Sequence, residues 1–275
     1  MKHKGILLLL ICAALPIVAV ILNRKADTAA FAERPPQPVD GKAVPVLVEL
    51  FTSQGCSSCP PADEVLARLE QTQPVAGVEV IALSEHVDYW NRLGWADPFS
   101  SPIFSERQGR YADAFGKDGV YTPQMVVDGR TEFVGSNMGR ARDAIARAAK
   151  FPKATIHLAR NDGAQGDVIP LTVQIEDLPE TSGGDTVEVL LAVTESGLRT
   201  DVPRGENAGR KLSHTAVVRR LEVIGSIKGA SFAAAPVVRM EKGWRHDRLR
   251  AIVFTQERAS RRVVGAATVA LHPRA

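Results

Sequence analysis

The feature that most constrains this chain is the run at positions 44–51, Val-Pro-Val-Leu-Val-Glu-Leu-Phe, which leads directly into a loop and a pair of cysteines. Apolar and β-branched residues broken only by Pro45 and Glu49 predict a strand covered on both faces, at the centre of a sheet. Thr52-Ser53-Gln54-Gly55 predicts the loop, and Cys56-Ser57-Ser58-Cys59 follows it. Pro60 and Pro61 suit the first turn of a helix, where a missing N–H costs little. Residues 62–71 carry Val65, Leu66 and Leu69 at helical spacing, with Asp63 and Glu64 in the first turn and Pro74 beyond the end.

This pattern sets Cys56 at or just before a helix N-terminus, where unpaired N–H groups and the positive dipole end stabilise a thiolate. Cys59, one turn inward, is placed to resolve a mixed disulfide. The pair would then be a redox-active disulfide needing no further cofactor. Two alternatives stand beside that reading: a structural disulfide and a metal site. Two cysteines cannot supply the four ligands of a structural zinc, whereas copper(I) could take both thiolates and His86. No metal ligand is assigned.

Residues 78–83 predict a second strand, running into Ser84-Glu85-His86-Val87-Asp88-Tyr89-Trp90. A long loop, 91–102, carries Trp95 and Phe99, and a helix is expected over 105–115. Residues 120–134 predict two antiparallel strands turned at Asp128-Gly129. A helix from Asn137 through 149 has Ala141, Ile145 and Ala148 on one face. His86 and Asp88 share a face if their strand continues, which makes them accessory candidates for moving protons or binding a ligand, or simply residues that hydrogen-bond a loop. Trp90, Trp95 and Phe99 suit a lid or groove for unfolded substrate, or a core patch under the long loop.

The order β-α-β-α-β-β-α with Cys-x-x-Cys after the first strand resembles the thioredoxin fold. That resemblance implies a cis Thr122–Pro123 bond and a substrate groove bordered by Thr122, Pro123, Gln124 and Trp90. It also makes Glu49, seven residues before Cys56, a candidate general base for Cys59, with a structural ion pair as the alternative. More specifically, the stretch from Val48 to Asp63 is similar to an uncharacterised family of exported, thioredoxin-like bacterial proteins, the domain of unknown function 1223. His86-Val87-Asp88-Tyr89-Trp90, Tyr121-Thr122-Pro123-Gln124 and Gly205-Glu206-Asn207-Ala208-Gly209-Arg210 fit the same pattern, so the resemblance spans residues 44–270. It implies fold and location, and no assigned activity. Copper-delivery relatives of thioredoxin space their thiols by three residues, which counts against the copper alternative.

From residue 152 the pattern changes to short strands at 154–158, 168–175, 186–193, 214–223, 235–240, 249–255 and 263–271. Turn signals at Asn161-Asp162-Gly163 and Ser182-Gly183-Gly184 suggest a β-sandwich. The expected fold is therefore an α/β thioredoxin-like domain (44–151) followed by an all-β sandwich-like domain (152–275). A length of 275 residues accommodates two such domains. Residues 33–43, with Arg34-Pro35-Pro36-Gln37-Pro38, read as an extended linker.

The net charge of +3 hints at an anionic partner until it is located. Lys2, Lys4, Arg24 and Lys25 against Asp27 account for all of it, and the remainder carries 30 basic and 30 acidic residues. The positive start, the apolar run at 5–22 and Ala30-Phe31-Ala32 describe a secretory signal in residues 1–32, or an uncleaved anchor. The expected location is periplasmic or secreted, with anchoring through residues 5–22 as a variant. The partners expected there are envelope protein thiols or disulfides and a membrane redox partner. Residues 153–198 hold 2 basic and 8 acidic residues, and 199–275 hold 16 and 6. Cross-strand charge pairing is favoured over a basic docking face. No nucleic-acid partner is expected, since no aromatic residues interleave the arginines.

Overall fold

The central strand is present. In the computed structural model, which describes residues 43–161, 166–227 and 229–272, β1 (Val44–Thr52) runs into the cysteine loop and α1 (Pro60–Thr72). Then come β2 (Val78–His86), α2 (Pro102–Ala114), β3 (Gln124–Val127), β4 (Thr131–Val134) and α3 (Met138–Ala148). β1 lies parallel to β2 and antiparallel to β3. The β3–β4 hairpin turns at Asp128-Gly129, where both residues have positive φ (49° and 59°). Glycine is required at the second position, because a Cβ there would lie 1.8 Å from the Arg261 carbonyl oxygen.

The second half supplies β5 (Thr155–Arg160), β6 (Val168–Glu176), β7 (Val187–Glu195), β8 (Leu198–Asp201), β9 (Lys211–His214) and β10 (Val217–Ile227). It ends with β11 (Phe232–Ala234), β12 (Val237–Arg239), β13 (Leu249–Glu257) and β14 (Val263–Ala270). The expected thioredoxin-like α/β domain with a separate β-sandwich is overturned by how these strands pair. The start of β10 joins the free edge of β2 in parallel at one position, Val217 opposite Ser84, with the Ser84 N–H donating to Ala216 O at 2.8 Å. The result is one mixed eight-stranded sheet, ordered β14-β13-β7-β10-β2-β1-β3-β4. The physical reason is local satisfaction and a shared core: Ser84 is buried and its N–H finds an acceptor in the second half of the chain, whose apolar strands also cover one face of β1 and β2. β5, β6, β11 and β12 form the smaller sheet.

Side-chain alternation divides the core. Val46, Val48 and Leu50 pack with Leu66 and Leu69 of α1 and Ile145 of α3. Leu47 and Phe51 point to the other face, where Tyr111 of α2 meets Leu190, Ala192, Ile252 and Phe254 from the second half. Val189, Leu191, Val193 and Val253 form a third cluster with Leu171, Val173 and Ile175 of β6. Both halves of the chain thus share a core. The charge division is met by pairing: buried Glu195 lies 3.2 Å from Arg219 and 3.5 Å from Arg245, and Glu188 lies 2.8 Å from Arg258.

The expected signal or anchor at 1–32, nearly all of the linker and the Asp162-Gly163 portion of the first expected turn lie outside the described residues.

Candidate functional site

Cys59 is the cap residue of α1, its carbonyl accepting from the N–H groups of Ala62 (2.8 Å) and Asp63 (3.1 Å). Cys56 and Cys59 are joined by a disulfide, and both are fully buried while Ser57 and Ser58 between them are exposed. Pro60 and Pro61 have no N–H to offer, and Cys56 Sγ lies 3.3 Å from the Ser58 hydroxyl. The Ser57 N–H is taken by Glu206 Oε2 at 2.9 Å.

Beneath the disulfide loop lies a buried acid–base cluster. Asp63, one helical turn beyond Cys59 and on the same helix face, accepts from the Thr52 hydroxyl at 2.9 Å. Burial pushes its carboxyl up to about 7, against the pull of nearby His86. His86 Nδ1 lies 2.7 Å from Asp97 Oδ2. Burial pulls the His86 imidazole down, but Asp97 and Asp63 outweigh it and hold the imidazole above its ordinary value. Asp97 also accepts from the backbone N–H groups of Gln54 (2.8 Å) and Phe99 (2.9 Å). Burial raises Asp97, and His86 with these bonds brings it below the usual carboxylate range.

His214, from β9, completes the cluster. The Trp95 indole can only donate, and it donates to Gln54 Oε1 at 3.0 Å. That fixes the Gln54 amide, so its Nε2 donates to Thr200 Oγ1 (3.0 Å) and to His214 Nε2 (3.1 Å). The His214 proton is therefore assigned to Nδ1, 4.0 Å from Asp63 Oδ2. Burial, with His86 nearby, lowers His214 to about 3, so it stays neutral. The His86 and His214 rings meet edge-on at 4.9 Å, with Phe99 against both. Among the described residues, His86 Nε2 and His214 Nδ1 have no hydrogen-bond partner.

The sequence-predicted residues divide. Trp90 is brought to the cysteine loop: its Cβ lies 3.1 Å from where a Gly55 Cβ would be, and its indole donates to Thr122 Oγ1 at 2.8 Å. The Thr122–Pro123 peptide is cis. Gln124 is buried and turned to Gln108 (2.9 Å) and Glu132 (3.2 Å). β2 ends at His86, so Asp88 leaves the strand and accepts from the Ser105 hydroxyl at 2.5 Å, apart from the cluster. Glu49 alternates with Val48 and Leu50 and so points away from α1. It pairs there with Arg107 at 2.5 Å, hydrogen-bonds Tyr111, and neighbours Glu85, itself 3.3 Å from Arg107. The carboxyl on Cys59's side of the sheet is that of Asp63.

Sequence reasoning missed Gln54, Asp63, Asp97, Glu206, Asn207 and His214. Asp63 carried a signal in its spacing of four from Cys59. Glu206 and Asn207 arrive from a hairpin remote in sequence, and their signal was the family pattern Gly205-Glu206-Asn207-Ala208-Gly209-Arg210; His214, from the same hairpin, carried none. Among the described residues no three His, Cys, Asp or Glu side chains are arranged to hold a metal ion.

Comparison with known proteins gives a family and a fold. The model of the family described as "Protein of unknown function (DUF1223)" matches residues 47–256. A crystallised protein of Agrobacterium tumefaciens is similar at a TM-score of 0.66 and 30% identity, over 85% of this chain and 97% of that one. HBP35 of Porphyromonas gingivalis is similar at a TM-score of 0.63 and 16% identity, over 83% of this chain and 76% of its own, a likeness of fold alone. No curated protein matches. The chain belongs to the DUF1223 family of proteins of unknown function.

Proposed function

We propose that this protein is an exported thiol–disulfide oxidoreductase acting on envelope proteins through Cys56 and Cys59. The observation that supports it is Asp63, a buried carboxyl with its pKa lifted to about 7, one turn from the inner cysteine. A disulfide that served only to staple a helix start would gain nothing from an ionisable group kept beneath it.

In the reducing direction, the Cys56 thiolate attacks a substrate disulfide, a mixed disulfide forms, and one substrate sulfur leaves as thiolate. Cys59 gives its proton to Asp63 and attacks Cys56 Sγ, closing the Cys56–Cys59 bond and expelling the second substrate sulfur. The substrate gains two electrons and the cysteine pair loses them. Oxidation of a substrate dithiol is the same path reversed.

A second reading, a non-catalytic binding protein with a structural disulfide, is favoured by the full burial of both cysteines. Reduction potential and insulin reduction by the purified protein separate the two. Turnover supports exchange; a potential below about −300 mV with no turnover marks a structural bond and ends the enzyme reading.

A further inference from the structure

The tip of the β8–β9 hairpin is tied across the cysteine loop. Asn207 is buried, and its Nδ2 donates to the carbonyl oxygens of Gln54 and Cys56, each at 2.9 Å. Its Oδ1 accepts from Arg210 Nη1 at 2.9 Å, and the neighbouring Glu206 carboxylate accepts from the Ser57 N–H at 2.9 Å. The neck of the hairpin is closed by Val202 N–H to Arg210 O (2.9 Å) and Gly209 N–H to Val202 O (2.8 Å). Gly205 and Gly209, at φ +78° and +80°, bracket the tip in conformations that other residues rarely adopt. Among the described residues, β8 and β9 pair only with each other. The tip can therefore leave the cysteine loop without breaking a ladder of the main sheet.

Two features make this more than a surface contact. The cysteines are fully buried although the residues between them are exposed, so exchange requires something to move. The Glu206 carboxylate sits on the N–H of Ser57, the residue after Cys56, so a Cys56 thiolate would form close to a carboxylate already in place, and like charges repel. We propose that Glu206 and Asn207 form a strap that shuts the cysteine pair while it is oxidised and leaves when Cys56 becomes a thiolate. This rests on the exchange reading above, since a strap over a disulfide matters only where that bond reacts.

The step balances with a dithiol reductant. One reductant thiolate bonds to Cys56 Sγ and displaces Cys59, which takes a proton. The second reductant thiolate displaces Cys56 as thiolate, and the reductant ends as a disulfide. The new negative charge then stands against Glu206, and the strap opens.

The test is the rate at which dithiothreitol reduces the oxidised full chain, in wild type, Glu206→Gln and Asn207→Asp. Asn207→Asp keeps the volume and removes both donors. Its disulfide should be reduced about tenfold faster, the equivalent of losing a net hydrogen bond's worth of closure, and Glu206→Gln should be faster by a smaller factor. Amide hydrogen exchange over residues 203–210 should lose protection on reduction of wild type and keep it in Cys56→Ser, which forms no thiolate there. Equal reduction rates in all three proteins, or equal protection in both redox states, would overturn the strap. If Asn207→Asp does not fold, Glu206→Gln, a change at an exposed residue, and the exchange comparison decide. Insulin turnover by wild type with strap-insensitive rates removes the strap and keeps the exchange reading. Strap-sensitive rates without insulin turnover show that the hairpin tip covers the disulfide but remove the exchange reading, and with it the strap's role.

Discussion

Asp63 Oδ2 and His214 Nδ1 face each other across 4.0 Å beneath the Cys56–Cys59 loop. The same burial moves them in opposite directions, the carboxyl up to about 7 and the imidazole down to about 3. The proposed exchange would have a thiol lose or gain a proton beside this pair. The pair also gives the stability of the protein a pH dependence of two opposed parts.

For Asp63, the folded state holds the proton more tightly than the unfolded chain does. Its contribution is fully present below the ordinary value of 3.8 and is lost as pH rises through about 7. The loss is on the order of 4 kcal/mol. Asp63→Asn should therefore gain stability relative to wild type progressively between pH 4 and 8, while slowing the resolution step around neutrality. Urea unfolding of the two proteins across that range checks the first part; parallel curves would refute it.

His214 runs the other way. Its folded value of about 3 lies below the ordinary 6.5, so its contribution is present above pH 6.5 and lost as pH falls toward 3. His214→Gln should flatten the acid limb of the stability curve by several kcal/mol. Thermal midpoints of both proteins at pH 4 and 7 measure it, and an unchanged acid limb in the variant would contradict the assignment.

Glu49 should matter for stability and not for exchange. Glu49→Gln leaves Arg107 buried without its closest carboxylate, which should cost about 3–5 kcal/mol. Thiolate absorbance of Cys56 and Cys59 against pH should be unmoved, because Glu49 is on the far face of β1. A displaced thiol titration in this variant would restore Glu49 as a candidate base.

Residues 44–151 should not fold alone. Without the second half, the buried Ser84 N–H of β2 loses its acceptor at Ala216, and Leu47, Phe51, Ile81 and Leu83 lose Leu190, Ala192, Ile252 and Phe254 from their core. The fragment should lack the dispersed amide spectrum of the full chain; a well-dispersed spectrum would mean that the halves are independent after all.

Much of the local structure was legible. The run at 44–51, the helix after Cys59, the Asp128-Gly129 hairpin and most strands of the second half stand near where periodicity puts them. Alternation along β1 was legible too, and followed strictly it would have turned Glu49 away from the helix side and left Asp63 as the nearby carboxyl. What no local pattern held was the origin of the site's other walls. Asn207 reaches Cys56 across 151 positions of chain and His214 reaches Gln54 across 160. The family pattern at 205–210 marks Asn207 without saying what it touches, and nothing in the neighbourhood of His214 distinguishes it from an ordinary hairpin residue.

By itself the sequence determined periods, turns and the place of the cysteine pair at a helix start. These follow from side-chain geometry over a few residues. Tertiary structure decided that β10 would join β2, making one sheet of what looked like two domains. It also decided that β8 and β9 would lay Glu206 and Asn207 across the disulfide. The physical reason is that every strand offers the same row of backbone donors and acceptors. Apolar patterning says that an edge or face must be covered, and only the competition among distant segments settles what covers it.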